Sequence, residues 1–158
     1  MAYFNSAAST AGGVGTFAVQ LALRNGLKVI ATALETDIEY LQNLGVQKII
    51  IGNKQRFENE VKDVDAVLDL LGGEIAKRSF NVVRTGGIVI STVGPIDKKL
   101  AEEKGIRAEF FMMKPNSTDL FEVGKLVANG TLKVKIEELI PLSEAPRAQD
   151  RLQMGHAQ

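Results

Sequence analysis

Residues 11–15 read Ala-Gly-Gly-Val-Gly and lead directly into the stretch Thr16-Phe17-Ala18-Val19-Gln20-Leu21-Ala22. A glycine-rich turn at the start of a helix leaves backbone N–H groups free at the positive end of the helix dipole, and this arrangement suits a diphosphate. A strand-like stretch at residues 28–33 follows Gly26, as a dinucleotide-binding βαβ unit requires. The join between turn and helix therefore predicts a site for a nucleotide cofactor.

The six-residue fingerprint of such sites falls on Thr10, Ala11, Gly12, Gly13, Val14 and Gly15. We expect Gly12 and Gly13 to let the backbone approach a diphosphate, and Gly15 to allow close packing of helix against strand. Thr10 stands at the first glycine position, where its β-carbon requires a slightly wider turn. The alternative is an ordinary strand-to-helix turn whose glycines serve tight packing alone.

Apolar runs alternate with helix-patterned stretches along the chain, which is typical of an α/β sheet wound on both sides. The pattern predicts strands near residues 28–33, 47–51, 65–70, 86–93 and 106–112. It predicts helices near residues 14–25, 36–44, 55–62, 73–83, 97–103, 117–129 and 143–154. The predicted fold is a Rossmann-like, doubly wound, mostly parallel six-stranded sheet with helices on both faces, formed as one domain by residues 1–158.

The first strand of such a fold should be central and strongly hydrophobic. Residues 2–9, Ala-Tyr-Phe-Asn-Ser-Ala-Ala-Ser, make a poor buried strand because Asn5, Ser6 and Ser9 interrupt it. Two interpretations stay open: the strand is degraded in this protein, or the sequence starts in the middle of something longer.

Charge and composition exclude several classes of protein. The 19 basic and 19 acidic residues cancel, so no global field attracts nucleic acid or an anionic membrane. The chain has no cysteine and one histidine, His156, so we expect no zinc site made by this chain alone. No apolar run approaches the ~18 residues that span a bilayer, and no signal peptide is visible. We therefore expect a cytoplasmic protein that binds neither nucleic acid nor membrane.

Five segments carry a resemblance to a known family: residues 11–22, 65–73, 86–95, 105–111 and the tail at 152–157. Together they resemble the cofactor-binding domain of the medium-chain dehydrogenase/reductase superfamily, and within it the zinc-free quinone oxidoreductases related to zeta-crystallin. Members of that family begin with a barrel-like catalytic domain that supplies most of the substrate pocket. Nothing in this sequence matches that domain, so we expect a cofactor domain alone.

Cofactor choice is made at the end of the second strand, where an acidic residue binds the ribose 2′-OH of NAD. Ala33, followed by Leu34, stands at that position, and a small neutral residue there favours NADP(H) over NAD(H). Glu35 lies just beyond, and no Arg or Lys occurs between Ala33 and Tyr40 to bind a 2′-phosphate. NAD(H) therefore stays open as the alternative, as does a purely solvated role for Glu35 in the first turn of a helix.

The resemblance adds three groups to the predicted cofactor site: Asp69, Leu70 and Leu71; Val93, Gly94 and Pro95; and Phe110 and Phe111. The first group is implied to pass near the adenosine side, although Asp69 could also cap the helix that follows. The second is implied to lie near the nicotinamide, with a structural turn as the alternative. The third is implied to lie beside the nicotinamide on an edge strand that pairs in a homodimer; the alternative is an apolar edge strand buried by a neighbouring helix.

The resemblance implies the NAD(P)H-binding domain of a zinc-independent oxidoreductase that transfers hydride to a quinone or enone. We expect this chain to bind the dinucleotide with little or no turnover, and we assign no catalytic residue. A second hypothesis is a non-enzymatic dinucleotide-binding or dimerisation module. A third is a folded remnant that binds nothing.

Overall fold

The computed structural model describes residues 2–5, 10–136 and 138–153. Its strands are β1 (Ala2–Asn5), β2 (Val29–Ala33), β3 (Lys48–Ile51), β4 (Val64–Asp69), β5 (Val83–Ser91) and β6 (Arg107–Phe110). Its helices are α1 (Gly13–Arg24), α2 (Ile38–Leu44), α3 (Phe57–Glu60), α4 (Gly73–Ser79), α5 (Lys98–Glu103), α6 (Ser117–Ala128) and α7 (Ala145–Gln153). Short 3₁₀ turns at Glu35–Asp37 and Leu142–Glu144 precede α2 and α7.

The strands pair in the order β3-β2-β1-β4-β5-β6, and every neighbouring pair is parallel. The strand order reverses between β1 and β4, so the chain leaves these neighbouring strands in opposite directions. A crevice forms at such a switch point, at the carboxyl ends of the strands, and ligands of open α/β sheets bind there. The predicted Rossmann-like α/β fold is confirmed.

Each face of the sheet is covered by its own hydrophobic core. Strand β2 shows why, because all five of its residues are buried and alternate between the two faces. Ile30 packs with Phe57 of α3 and Ala101 of α5 in one core. Val29, Ala31 and Ala33 pack with Val19 of α1 and Leu41 of α2 in the other. The prediction of helices on both faces is confirmed.

Strand β1 forms in spite of its weak sequence. The backbone of Ala2–Asn5 pairs with β2 on one side and with β4 on the other, with Tyr3 opposite Ile30 and Val67. Ser6 and Ser9, which the sequence analysis also counted against this strand, lie outside the described residues. Two partner strands supply a complete hydrogen-bond ladder, so pairing outweighs the poor β-propensity of the segment.

Strand β5 begins earlier than predicted, at Val83 rather than near residue 86, and ends at Ser91. The early part of β5 is irregular, because its pairing register with β4 shifts: Val83 lies opposite Val64, and Ile88 lies opposite Ala66. Five steps along β5 therefore match two steps along β4, which is a bulge. Gly86 lies inside it with φ of 76°, a backbone angle that glycine adopts at little cost.

Two helices are shorter than predicted. Helix α3 covers Phe57–Glu60 rather than residues 55–62. Helix α4 ends at Ser79 rather than near residue 83, because the chain turns there to start β5: the Val82 carbonyl accepts the N–H of Val64 at 2.9 Å. The predicted end of the last helix, residue 154, lies outside the described residues.

Candidate dinucleotide-binding site

Helix α1 begins without a side-chain cap. Its N-cap is Gly12, and no acidic residue stands in its first turn. The Gly12 carbonyl accepts the N–H of Thr16 at 3.0 Å, so the N–H groups of Gly13, Val14 and Gly15 precede the first intrahelical bond and have no acceptor within the helix. Gly13 and Val14 are exposed. These donors at the positive end of a 12-residue helix fit the charge and the acceptor oxygens of a diphosphate.

Thr10 has a structural role that explains its departure from glycine. Its side chain is fully buried, and its Oγ1 donates to the carbonyl oxygen of Thr32 at 2.7 Å. The hydroxyl therefore ties the turn before α1 to the neighbouring strand β2. Ala11 beside it is 3% exposed, so this part of the turn is packed, whereas Gly13 at the start of α1 is exposed.

The end of β2 carries an ion pair that the sequence analysis missed. Ala33 is fully buried there, and half-buried Leu34 begins the 3₁₀ turn. Glu35 is exposed, and the Nζ of Lys54 lies 2.6 Å from its Oε1. Lys54 follows β3, which pairs directly with β2. The sequence analysis considered basic residues only as far as Tyr40. The strand order, which places β3 beside β2, was the signal that could have pointed to Lys54.

Asp69 is fully buried at the end of β4. Its carboxylate accepts the N–H groups of Leu71 at 3.2 Å and Gly72 at 3.0 and 3.1 Å, and the hydroxyl of Ser91 at 2.9 Å. The alternative that Asp69 caps α4 is wrong, because Gly72 is the N-cap and has no side-chain cap. Asp69 instead shapes the turn before the helix, which holds half-buried Leu70 and Leu71.

Ser91 joins the two predicted loops, and sequence reasoning missed it. Its Oγ donates to Asp69 and accepts the N–H of Val93 at 3.2 Å, so the loops after β4 and β5 share one hydrogen-bond network. They flank a cavity of about 320 Å³. Among its lining residues are Leu71, Gly72, Ser91, Val93, Gly94 and Pro95. A polar residue inside a buried strand was the available signal.

The predicted aromatic pair lies at the exposed edge of the sheet. Phe110 ends β6, and the N–H of Phe111 donates to the Ser91 carbonyl at 2.8 Å. Phe111 is 58% exposed, and Met112 and Met113 are each 67% exposed. The alternative that a neighbouring helix buries this edge is therefore wrong. The carboxyl ends of β1, β2, β4, β5 and β6 lie along one side of the sheet. Most of the predicted residues lie at these strand ends.

The described residues offer little for metal binding or proton transfer. In the part of the chain that the structure describes, no group of three His, Cys, Asp or Glu side chains could hold a metal ion. The Tyr40 hydroxyl is buried without a hydrogen-bond partner, and burial raises the pKa of Tyr40 above its ordinary value. His156 lies outside the described residues.

Comparisons with known proteins agree with this geometry. The sequence model of the family described as "Zinc-binding dehydrogenase" matches residues 44–158. The chain is 27% identical over 154 residues to the "Probable zinc-binding oxidoreductase, mitochondrial" of Arthroderma benhamiae, covering 92% of this chain and 46% of the relative. It is 24% identical to "NAD(P)H oxidoreductase RTN4IP1, mitochondrial" of Danio rerio, covering 92% and 45%. The solved quinone oxidoreductase of Coxiella burnetii superimposes with a TM-score of 0.88 at 31% identity, covering 98% and 49%.

The cytoplasmic location expected from the sequence is contradicted by these relatives. Two of them are named as mitochondrial proteins, which points away from the cytoplasm. In the described residues, no helix has both the length and the hydrophobicity needed to cross a bilayer.

The chain spans about half the length of the relatives it matches. This chain carries the Rossmann-like sheet, the uncapped N-terminus of α1 and the loops at the carboxyl ends of the strands. The family match covers well over half of the chain, and the resemblance to the medium-chain dehydrogenase/reductase superfamily is confirmed. The chain belongs to the zinc-binding dehydrogenase family and corresponds to its cofactor-binding domain.

Proposed function

We propose that this chain is the NAD(P)H-binding domain of a zinc-independent oxidoreductase that delivers hydride to a quinone or enone. The nicotinamide cofactor would supply the hydride, and the protein supplies position and electrostatics. The observation that carries the proposal is the uncapped start of α1, because three backbone N–H groups there have no acceptor within the helix and no acidic side chain in the first turn.

The rest of this side of the sheet offers a place for each half of a dinucleotide. With the diphosphate at α1, the adenosine extends over the end of β2, where the 2′ position of its ribose is recognised. The nicotinamide then extends in the opposite direction, over the ends of β4 and β5. This path would put the loop of Asp69, Leu70 and Leu71 beside the nicotinamide half, and not on the adenosine side that the resemblance implies. The cavity between the loops after these strands holds about 320 Å³, within the range of small-ligand clefts. Phe110 and Phe111 lie at the far side of these loops.

Zinc independence is supported by the side chains that the sequence provides. Structural zinc sites use Cys and His, and catalytic ones need about three protein ligands. This chain has no Cys and a single His, His156. The family description names zinc, so metal content measured by mass spectrometry of the purified protein tests the proposal directly. Stoichiometric zinc bound after dialysis would contradict it.

Titration with NADPH, followed by the change in its fluorescence, tests the proposed function. We expect saturable binding, with a dissociation constant in the micromolar range that enzymes show for their substrates. Adding a quinone such as phenanthrenequinone under anaerobic conditions then separates two classes. Consumption of NADPH identifies a working enzyme, whereas binding without consumption fits a cofactor domain acting alone or a non-enzymatic module. Absence of saturable binding would contradict both.

We propose that the site prefers NADP(H) over NAD(H). Ala33 is small and buried, so no carboxylate occupies the strand end itself. Glu35 lies two residues beyond, and Lys54 pairs with it at 2.6 Å. Both side chains are more than half exposed, so the ammonium group can rotate towards a 2′-phosphate. Lys54 then supplies the basic group that the local sequence lacks.

Replacing Lys54 tests this preference. We expect Lys54→Gln to weaken NADPH binding about fivefold, because an exposed charge-assisted contact to phosphate is lost. NADH binding should stay within twofold, since NADH lacks the phosphate. Glu35→Gln should act in the opposite direction, because it releases Lys54 from its ion pair. Calorimetric titration with both cofactors measures the two affinities.

The matched control is Lys125→Gln, which breaks a similar exposed ion pair, with Glu122, on α6. It should change neither affinity. Equal weakening of NADPH and NADH by Lys54→Gln would contradict the assigned role.

We also propose that the protein forms a homodimer through the edge of β6. Strand β6 pairs with β5 on one side, and the exposed apolar residues Phe111, Met112 and Met113 continue from its end. An unpaired edge strand with apolar side chains invites addition of a strand from another chain. Sedimentation analysis should give twice the monomer mass of 17.1 kDa, and Phe111→Lys should shift the equilibrium to the monomer. A wild-type protein that sediments as a monomer at high concentration would contradict this proposal.

A further inference from the structure

We infer that the buried carboxylate of Asp69 makes this site favour the oxidised, cationic nicotinamide over the reduced, neutral ring. The inference rests on the proposed function, because it requires a nicotinamide dinucleotide on the carboxyl edge of the sheet. The inference concerns the electrostatic effect of a buried charge near the site, and it requires no direct contact between Asp69 and the cofactor.

The hydrogen bonds of Asp69 are those of an ionised carboxylate. Its Oδ1 accepts the N–H groups of Leu71 and Gly72, and its Oδ2 accepts the Gly72 N–H and the Ser91 hydroxyl. Ser91 itself accepts the N–H of Val93 and donates its hydroxyl proton to Asp69. Every partner donates, and none accepts a proton from the acid. The site is therefore built for an acceptor-only group, which is the charged form.

No cation neutralises this charge within the part of the chain that the structure describes. Asp69 forms no salt bridge with any described Lys or Arg, whereas the buried carboxylate of Asp37 lies 3.0 Å from the Nζ of Lys135. Lys77, which lines the nearby cavity, is engaged by Glu74 at 2.7 Å. The donors around Asp69 are neutral dipoles that stabilise the carboxylate locally. They leave its net charge of −1 in place at longer range.

The charge lies between the two loops of the nicotinamide half of the site. The carboxylate of Asp69 is separated from Val93 by two successive hydrogen bonds, through Ser91. Val93 is 53% exposed at the end of β5, and the nicotinamide extends over this strand end when the diphosphate lies at α1. The adenosine and the phosphates are identical in both redox forms, so Asp69 acts on them equally. Only the nicotinamide ring changes charge.

A buried negative charge attracts the cationic ring and leaves the neutral ring unaffected. At an effective dielectric of about 20, two unit charges about 10 Å apart still interact by more than thermal energy. Such a field also favours loss of hydride from the reduced ring, because that loss creates the cation. The expected measure is the ratio of the dissociation constants for NADPH and NADP⁺.

Asp69→Asn tests the inference, because asparagine keeps the shape of the side chain and removes the charge. We expect the preference for NADP⁺ relative to NADPH to fall about fivefold, with both affinities measured by calorimetric titration. Asp65→Asn is the matched control: it removes one charge from the same strand, about 13 Å away at the opposite end, where Asp65 is half exposed. Its ratio should equal that of the wild type. Circular dichroism checks that each variant is folded.

Three outcomes decide the question. A preference for NADP⁺ over NADPH that falls in Asp69→Asn and not in Asp65→Asn supports the inference, whereas a preference that rises in Asp69→Asn overturns it. An unchanged ratio in folded Asp69→Asn overturns it, even if both affinities fall together, since a structural role alone would weaken both forms equally. If Asp69→Asn does not fold, Asp69→Ser takes its place and the same ratio decides. If the wild-type protein binds neither NADPH nor NADP⁺, the proposed function is wrong.

Discussion

Gly13→Asp is expected to weaken NADPH binding about 100-fold while leaving the fold intact. Gly13 is the first residue of α1, and a β-carbon added there meets no atom within 4 Å. The aspartate therefore fits sterically, and its carboxylate interacts favourably with the positive end of the helix. It occupies the region proposed for the diphosphate and repels it. Titration with NADPH measures the loss, and thermal unfolding should show equal or slightly higher stability than the wild type.

Gly13→Asn is the control for this prediction, because it has nearly the same volume as the aspartate and no charge. It should lose much less affinity than Gly13→Asp, since the remaining effect is steric. The gap between the two variants should narrow at high salt, which screens exposed charges. Equal losses in both variants would show that the helix end recognises no anion, and the proposed site would then be wrong.

Features that depend on local sequence could be predicted from the residues alone. The glycine-rich turn and the apolar face of α1 lie within about a dozen residues of one another, and their structure follows from backbone freedom and helical periodicity. The fully buried run of β2 is likewise a local pattern. For this reason the glycine-rich turn before α1 and the doubly wound architecture were both predictable.

Features that depend on strand order were not predictable in the same way. Lys54 reaches Glu35 because β3 lies beside β2, and Ser91 reaches Asp69 because β5 lies beside β4. These pairs are 19 and 22 residues apart in the chain, and no local pattern marks them. Strand β1 shows the same limit, because its two partner strands outweigh its weak propensity.

The location of the protein was the prediction with the weakest physical basis. Charge balance and the lack of a long apolar run in the sequence constrain contacts with membranes. They do not specify a compartment, and relatives named as mitochondrial overturned the expectation.

The role of Thr10 was predictable only in part. The sequence showed that a glycine was missing at this position, whereas the hydrogen bond from its hydroxyl to β2 follows from the fold.

Gly87→Ala is expected to lower the free energy of unfolding by about 3 kcal/mol, because the added methyl group has no space. Gly87 is buried in β5 at the bulge. A β-carbon there would overlap Val83 Cγ1 and lie 2.8 Å from the carbonyl oxygen of Asp65 and 2.9 Å from that of Arg84. Two of these atoms are backbone oxygens beside the β4–β5 ladder, so they cannot move without disturbing strand pairing. Urea unfolding monitored by circular dichroism measures the loss.

Gly124→Ala is the control, because it adds the same methyl group to α6 at a position where nothing lies within 4 Å. Alanine in a helix interior is more favourable than glycine by about 0.5–1 kcal/mol, so this variant should be slightly more stable than the wild type. The two substitutions are chemically identical and should act with opposite sign. If the midpoint of urea unfolding of Gly87→Ala equals that of the wild type, β5 does not approach β4 at the bulge as closely as described here. The register that brings Ser91 beside Asp69 would then have to be revised as well.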